Sequence, residues 1–382
     1  MRHLRSIKRV DLFLFFAAIV VLAIIAVQYV RSTSDGRLKR VELSISPQCI
    51  ALFGSDTINA LIQEFEEQNP DLRIQAAEQK ADIIFFDDEE FNGLINESAL
   101  ASLSPYIQTE ARNEQWALPL VSFMDVFVYN IDILQAANCD RPPKTRAEFL
   151  AAARAVAGSA SLQKAGKEAV FPFALGLSQA DTMALRRNFY PWFWANGGDI
   201  ATIDATDKIL LDTISFLKQL NSERLLASGT FEKTKTQRLQ EFAEGRIAMM
   251  AASARDIAFL QNNAHGITFG ITAIPATAQG KNRLGLSGIY AGIRSDCTLY
   301  DEAWVFLAFI AGKSQLLAEA VSAVPGSFPP VFFGDYIEND PLYSKARDIF
   351  EAADIIDYQP DQQSDEINDI IRVKLTEALN NS

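Results

Sequence analysis

The chain has 382 residues, enough for two domains, with 49% apolar and 22% charged residues, a composition that excludes a disordered protein. The formal net charge is −13; residues 1–40 hold eight Lys/Arg and two Asp, so the remainder carries about −19. That balance argues against nucleic acid as a partner, because phosphate binding needs a positive footprint. With two histidines, His3 and His265, and three cysteines, Cys49, Cys139 and Cys297, at no metal-like spacing, a His-based triad and a His-rich zinc site are disfavoured, and no cofactor or metal is expected. The odd cysteine count leaves at least one thiol free, with one disulfide still open.

Arg2, Arg5, Lys8 and Arg9 precede an apolar run, Leu12 to Val30. As a helix it would span about 28 Å, close to the hydrocarbon thickness of a bilayer. It reads as a retained transmembrane anchor, with a cleaved signal segment as the alternative, because no A-x-A site follows it. Residues 31–40 are a polar tether. Val41–Ser46 alternates like a strand. A helix follows from Ser55-Asp56, with Ile58, Leu61, Ile62 and Phe65 on one face, and Pro70 stops it. Leu72–Ile74 is a short strand. Ala81–Phe86 is a continuous apolar strand suited to the middle of a parallel sheet. In Gln115–Asn130, Pro119 marks a stop, Ser122 and Asp125 a polar break, and a strand-like run ends at Tyr129-Asn130.

Thr145-x-x-Glu148 is a capping box for a helix whose face holds Phe149, Leu150, Ala153 and Val156. Phe171–Leu177, Ile247–Ala251 and Phe269–Ile274 read as strands, and Gln279–Ser287 as a polar loop. Leu210, Ile214, Leu217 and Leu220 mark one further helix, Trp304, Val305, Ala308 and Phe309 another capped by Asp301, and Ile367, Ile371, Leu375 and Leu379 the last. Strands and helices alternate throughout, which indicates an α/β protein.

Several segments, in order, resemble one family. Ile58 to Pro70 is similar to "l-x-x-F-E-x-x-x-P", Ala81–Phe86 to a "P-D-V" strand, and Ala99–Leu103 to "G-x-L-x-x-L". Gln115–Asn130 resembles "A-x-P-x…Y-N", and Pro143–Phe149 "P-K-T-W-E-E-F" with Arg146 in place of Trp. Trp192–Gly198, Glu244–Met250, Phe269–Pro275, Ala303–Leu307 and Val324–Ser327 continue the register. The pattern is that of the extracellular solute-binding proteins of ABC importers, the maltose-binding-like group (family 1). The resemblance implies a two-lobed periplasmic-binding-protein-like fold with an interlobe cleft. Lobe 1 would hold 41–122 plus 275–311, and lobe 2 would hold 123–270 plus 312–382. Hinge crossings are expected near 121–126, 270–275 and 311–313, with closure on ligand. The implied function is capture of a small solute, a carbohydrate or sugar derivative, by a monomer at the outer face of the cytoplasmic membrane. Delivery would be to ABC permease subunits, with no catalysis. An anchored receptor reporting to a sensor protein is the alternative, and a glycoside hydrolase a more remote one.

The resemblance and the residues together suggest ligand contacts. Gln48 follows the first strand, in a loop that faces the ligand in this family. Asp87 and Asp88 lie past the carboxyl end of an apolar strand, where open α/β sheets bind ligands; as a helix N-terminus they would merely suit the dipole. Asp125 interrupts an apolar run and needs either a ligand or a structural partner. Trp192 and Trp194 share a face if extended and diverge if helical. Arg255 stands where sugar-binding members often carry Trp, and its planar fork suits a carboxylate or phosphate. Ser287 and Tyr290 complete the set.

Overall fold

The computed structural model describes residues 40–77, 80–107, 115–163, 169–181, 183–200, 203–277, 280, 283–322, 341–356 and 362–380. The expected anchor and all but the last residue of its tether lie outside them, as does Val324–Ser327. No single helix among the described residues is long and apolar enough to cross a membrane.

Val41–Ile45 (β1) buries Leu43 and Ile45 on one face. Gln48–Phe53 (α1) and Ser55–Gln68 (α2) follow; α2 buries Ile58, Leu61 and Phe65 and ends before Pro70. Leu72–Ala76 (β2) and Ile83–Asp87 (β3) both run parallel to β1, and Asp88–Asn96 (α3) leaves β3. Leu118–Asn130 (β4) is one continuous strand of 13 residues, without the stop expected at Pro119 or the break at Ser122 and Asp125. Pro119 is exposed near the strand's start, where a missing N–H costs little.

Next come Ile131–Ala136 (α4), Arg146–Gly158 (α5), Phe171–Ala174 (β5), Ala184–Asn188 (α6), Tyr190–Ala195 (α7), Lys208–Ser222 (α8) and Lys235–Ala243 (α9). Ile247–Ser253 (β6), Ala254–Asn263 (α10), Phe269–Thr272 (β7) and Arg283–Ile293 (β8) follow. The chain continues through Tyr300–Ala311 (α11), Ser314–Ser322 (α12), Pro341–Glu351 (α13), Asp354–Ile356 (β9) and Gln362–Asn380 (α14). The polar loop expected over 279–287 is therefore strand from Arg283 onward. Asp301 does not cap α11; Leu299 stands at the cap and Asp301 accepts from the Tyr106 hydroxyl.

By their contacts the described residues form two compact units, one holding those up to Val121 plus those of Ile289–Val321, the other those of Ser122–Gly288 and from Ser322 onward. These bounds differ from the expected lobes at Ser122, which groups with the second unit, and over two longer stretches. Residues 275–288 group with the second unit, where β9 pairs with Arg283–Gly285 and Arg283 donates to the Gly198 carbonyl at 3.0 Å. Residues 312–321 group with the first, where Lys313 pairs with Glu64 at 2.5 Å.

In the first unit the strand order is β2-β1-β3-β8. β3 is parallel to β1 and antiparallel to β8, so the sheet is mixed and not the parallel one expected for Ala81–Phe86. Phe65 of α2 meets Phe306 and Phe309 of α11 at ring distances of 4.9 and 5.3 Å. In the second unit the order is β8-β4-β6-β5, with β7 against β4 and β9 against β8. Its core is aromatic: Phe127, Phe149, Phe173 and Trp192 are all fully buried. The capping box of Thr145 and Glu148 forms as expected. Arg146, in the place of the family's Trp, lies over the Phe216 ring at 4.8 Å and donates to the Trp192 carbonyl at 2.6 Å. Burial lowers its pKa to about 10. All three cysteines are free, and burial pushes the Cys49 thiol up to about 11.

Arg154 of α5 grips Glu223, at the end of α8, with two bonds of 2.7 Å. The Arg154 fork and then Gln219 hold the Glu223 carboxyl down from 4.5 to about 2. A depressed carboxylate stabilises the fold above its ordinary pKa, and that contribution is lost as pH falls through the folded value. The difference in melting temperature between the natural protein and Glu223→Gln is therefore expected to be constant above pH 4.5 and to close toward pH 2. The pair is surface-exposed, so the gap is small and shrinks with salt. A gap that persists at pH 2 would assign the effect to packing.

Candidate functional site

In the first unit β1 and β3 are parallel neighbours, so the helices that leave their carboxyl ends start at the same edge of the sheet. Gln48 opens α1 there and is exposed. Asp87 ends β3 and caps α3, its Oδ1 accepting from the Glu89 N–H at 2.9 Å. Asp88 is the first residue of α3 and is buried. Tyr290 lies opposite Phe86 in the β3–β8 register. Its ring stacks on Phe86 at 6.0 Å, lies tilted against Phe91 at 5.0 Å and is buried, so most of its surface serves packing. The fold thus brings Gln48, Asp87, Asp88 and Tyr290 to one region of this unit.

In the second unit Asp125 lies opposite Ser253 in the β4–β6 register, and α10 starts directly after Ser253. Position 255 therefore stands near Asp125, at the end of the β4–β6 pairing; the Arg255 side chain lies outside what is described. Asp256, its neighbour, is engaged: it bonds the Ser253 N–H at 2.8 Å and pairs with Lys235 at 2.6 Å. Ser287 donates to the Phe123 carbonyl at 3.5 Å. Asp125 has the partner its buried position demanded. Arg186 of α6 donates to its Oδ2 at 2.6 Å, and both side chains are 6% exposed.

The two tryptophans diverge because their segment is helical. Both are 0% exposed. Trp192 points into the core, with Phe149 at 5.1 Å and Phe216 at 5.3 Å. Trp194 stacks on Tyr190 at 5.5 Å and carries the Arg186 guanidinium at 4.6 Å. Of the two arrangements the sequence left open, the structure has the helical one, α7. A proline at its first turn suits a helix start, and Asn196 and Gly197 close it through backbone bonds to Trp192, Phe193 and Trp194.

Arg186 was missed in the sequence. Its signal was indirect: an acid in an apolar strand needs a cation, and Arg186-Arg187 is the basic pair beside the aromatic cluster.

The family of bacterial extracellular solute-binding proteins matches residues 57–332. No curated protein matches the chain. Solved structures with the same fold include the cyclic alpha-maltosyl-1,6-maltose binding protein from Arthrobacter globiformis, at 17% identity and a TM-score of 0.62, over 89% of this chain and 96% of that one. An ABC substrate-binding protein from Listeria monocytogenes, in complex with cycloalternan, is similar at 15% identity and a TM-score of 0.59, over 90% and 94%. UgpB from Mycobacterium tuberculosis, in complex with glycerophosphocholine, is similar at 16% and 0.60, over 91% and 96%. The family match covers well over half the chain and takes in parts of both α/β units, and the protein belongs to the bacterial extracellular solute-binding family.

Proposed function

We propose that the protein captures a small carbohydrate or sugar derivative outside the cytoplasmic membrane and delivers it to an ABC permease. The family match over residues 57–332 carries this reading. In it the protein acts as a monomer, tethered by its N-terminal segment, and transforms no substrate. The carbohydrate class is supported by relatives of the same fold that bind cycloalternan and maltosyl-maltose rings. Gln48 and Asp87, both retaining accessible surface at the sheet edge of the first unit, are the proposed acceptors and donors for hydroxyl groups. Arg255 at the start of α10 is one proposed contact from the second unit, and Ser287 on β8 is the other.

The test is mass spectrometry of small molecules released by denaturing the freshly purified protein. The expected result is a saccharide or sugar alcohol in near-stoichiometric amount. Titration of the stripped protein with that compound should restore binding, and Asp87→Asn should weaken it about ten- to a hundredfold, the worth of one charge-assisted hydrogen bond. Release of an amino acid or a peptide instead would overturn the carbohydrate class while leaving solute capture in place.

A further inference from the structure

Arg186 lies on α6, and its guanidinium is a fork between two strands. Nη1 donates to Asp125 Oδ2 on β4 at 2.6 Å, and Nη2 donates to the Leu286 carbonyl on β8 at 2.8 Å. The Trp194 ring forms its floor at 4.6 Å. Gly285 leaves the space it occupies: a Cβ there would stand 2.2 Å from Trp194, 2.6 Å from Arg186 Nη2 and 2.8 Å from Asp125 Oδ2. Carboxylate, carbonyl, indole and glycine together make a fitted seat for one planar cation.

Stability alone does not account for this seat. A buried ion pair does no better, as a rule, than apolar side chains of the same volume, and setting register is the best-attested use of such groups. The position is informative. Asp125 lies four residues after Val121 and Leu286 two residues before Gly288, so both strands are gripped next to where the chain passes between the units. Ser287, the residue after Leu286, bonds the carbonyl of Phe123 on the same stretch of β4.

We propose that Arg186 is a positioning residue for solute capture: its fork fixes the register of β8 on β4 in the second unit, and so places Ser287, without touching the solute. The capture half of this inference rests on the solute-binding reading above. A planar guanidinium can hold two acceptors on two strands at fixed angles, whereas a lysine ammonium is a single flexible point charge. Lysine at 186 therefore keeps the charge balance and loses the register.

The experiment compares the full chain with Arg186→Lys and with the double variant Asp125→Leu/Arg186→Met, which removes the pair without leaving a buried orphan charge. Hydrogen–deuterium exchange is followed by mass spectrometry, with no ligand added. Peptides covering 121–126 and 283–289 are expected to exchange about tenfold faster or more in both variants, as local opening becomes easier, while those of β6 and α8 keep their rates. The double variant is expected to melt close to the natural protein. Natural exchange rates in Arg186→Lys would overturn the fork, since charge alone would then suffice. Uniform acceleration across the second unit would also overturn it and make Arg186 a plain stability residue. The same preparations are then denatured and the released solute is measured per mole of protein, with a drop of about tenfold expected in both variants. Undiminished release despite faster local exchange would sever register from capture. A natural protein that releases nothing would sink the solute reading, and the exchange data would still decide the register.

Discussion

Replacing Glu241 by alanine is expected to lower the stability of the second unit by about 3–5 kcal/mol, the cost of leaving a buried cation unpaired. Glu241 is 6% exposed on α9 and serves three cations at once. Arg238 donates to it at 2.9 Å, Arg246 at 3.3 Å, and Lys233 also pairs with it. Arg238 is itself 2% exposed, and among the described residues its other terminal nitrogen reaches only the Leu175 carbonyl, at 3.5 Å. Without Glu241 the guanidinium has no carboxylate in contact among the described residues. Burial pushes the Glu241 carboxyl up, but Lys233 and Arg238 outweigh it and hold the group below its ordinary pKa. The stabilisation is therefore present above the ordinary carboxylate pKa and is lost as pH falls through the lower folded value. Arg246→Ala is the control: its side chain is 29% exposed, so its pairs should be worth about 1 kcal/mol or less. Urea unfolding of both variants, monitored by tryptophan fluorescence, checks the order. Equal losses would mean that the three cations share the carboxylate evenly and that burial of Arg238 does not set the cost.

Trp192→Ala is expected to cost a similar amount, about 3–5 kcal/mol, through the cavity it would open. The ring is fully buried and touches Phe127, Phe149, Phe173 and Phe216, at centroid distances of 5.7, 5.1, 5.6 and 5.3 Å. The Arg146 guanidinium lies 5.9 Å from the same ring, so the cavity would also loosen a buried cation. Trp192→Phe should be much milder, because it keeps most of the apolar volume and the indole N–H has no hydrogen-bond partner among the described residues. The same variant separates packing from recognition. A Trp192→Phe protein that folds and still carries its solute assigns the ring to the core. One that folds normally but loses the solute would return the ring to ligand stacking. Thermal melts together with the release measurement give both readouts.

The two experiments bear on different levels of the fold. The Glu241 cluster joins α9 to the loop before it and to the start of β6, all close in sequence. The Trp192 cluster gathers residues from β4, α5, β5, α7 and α8, and its loss would weaken the platform from which Arg186 and Trp194 are held. Tyr190, stacked on Trp194, donates its hydroxyl to Asn368 of α14 at 2.5 Å, so the last helix is tied to the same platform.

Periodicity determined the helices and strands whose burial is one-sided. The α2 face of Ile58, Leu61 and Phe65, the α8 face of Leu210, Ile214, Leu217 and Leu220, and the capping box at Thr145 are local consequences of side-chain spacing, and each is legible in the chain. The ordered series of short motifs also carried the family, because each motif marks an element and the elements keep their order. Tertiary structure decided the rest. β4 runs through Pro119, Ser122 and Asp125 because its strand neighbours and Arg186 satisfy groups that look like breaks in isolation. β8 starts at Arg283, within a stretch that reads as loop, because partners distant in sequence supply its hydrogen bonds. The direction of β3's second neighbour and the cation that answers Asp125 are pairings between segments far apart in sequence, Asp87 with Ile289 in the first case and Asp125 with Arg186, 61 residues on, in the second, and the helical turn that separates Trp192 from Trp194 is held by the core around it. Local patterning states which residues must be buried; only the packed fold states against what, because the partner of a buried charge or an unpaired strand edge is chosen by three-dimensional proximity and leaves no periodic mark on the chain.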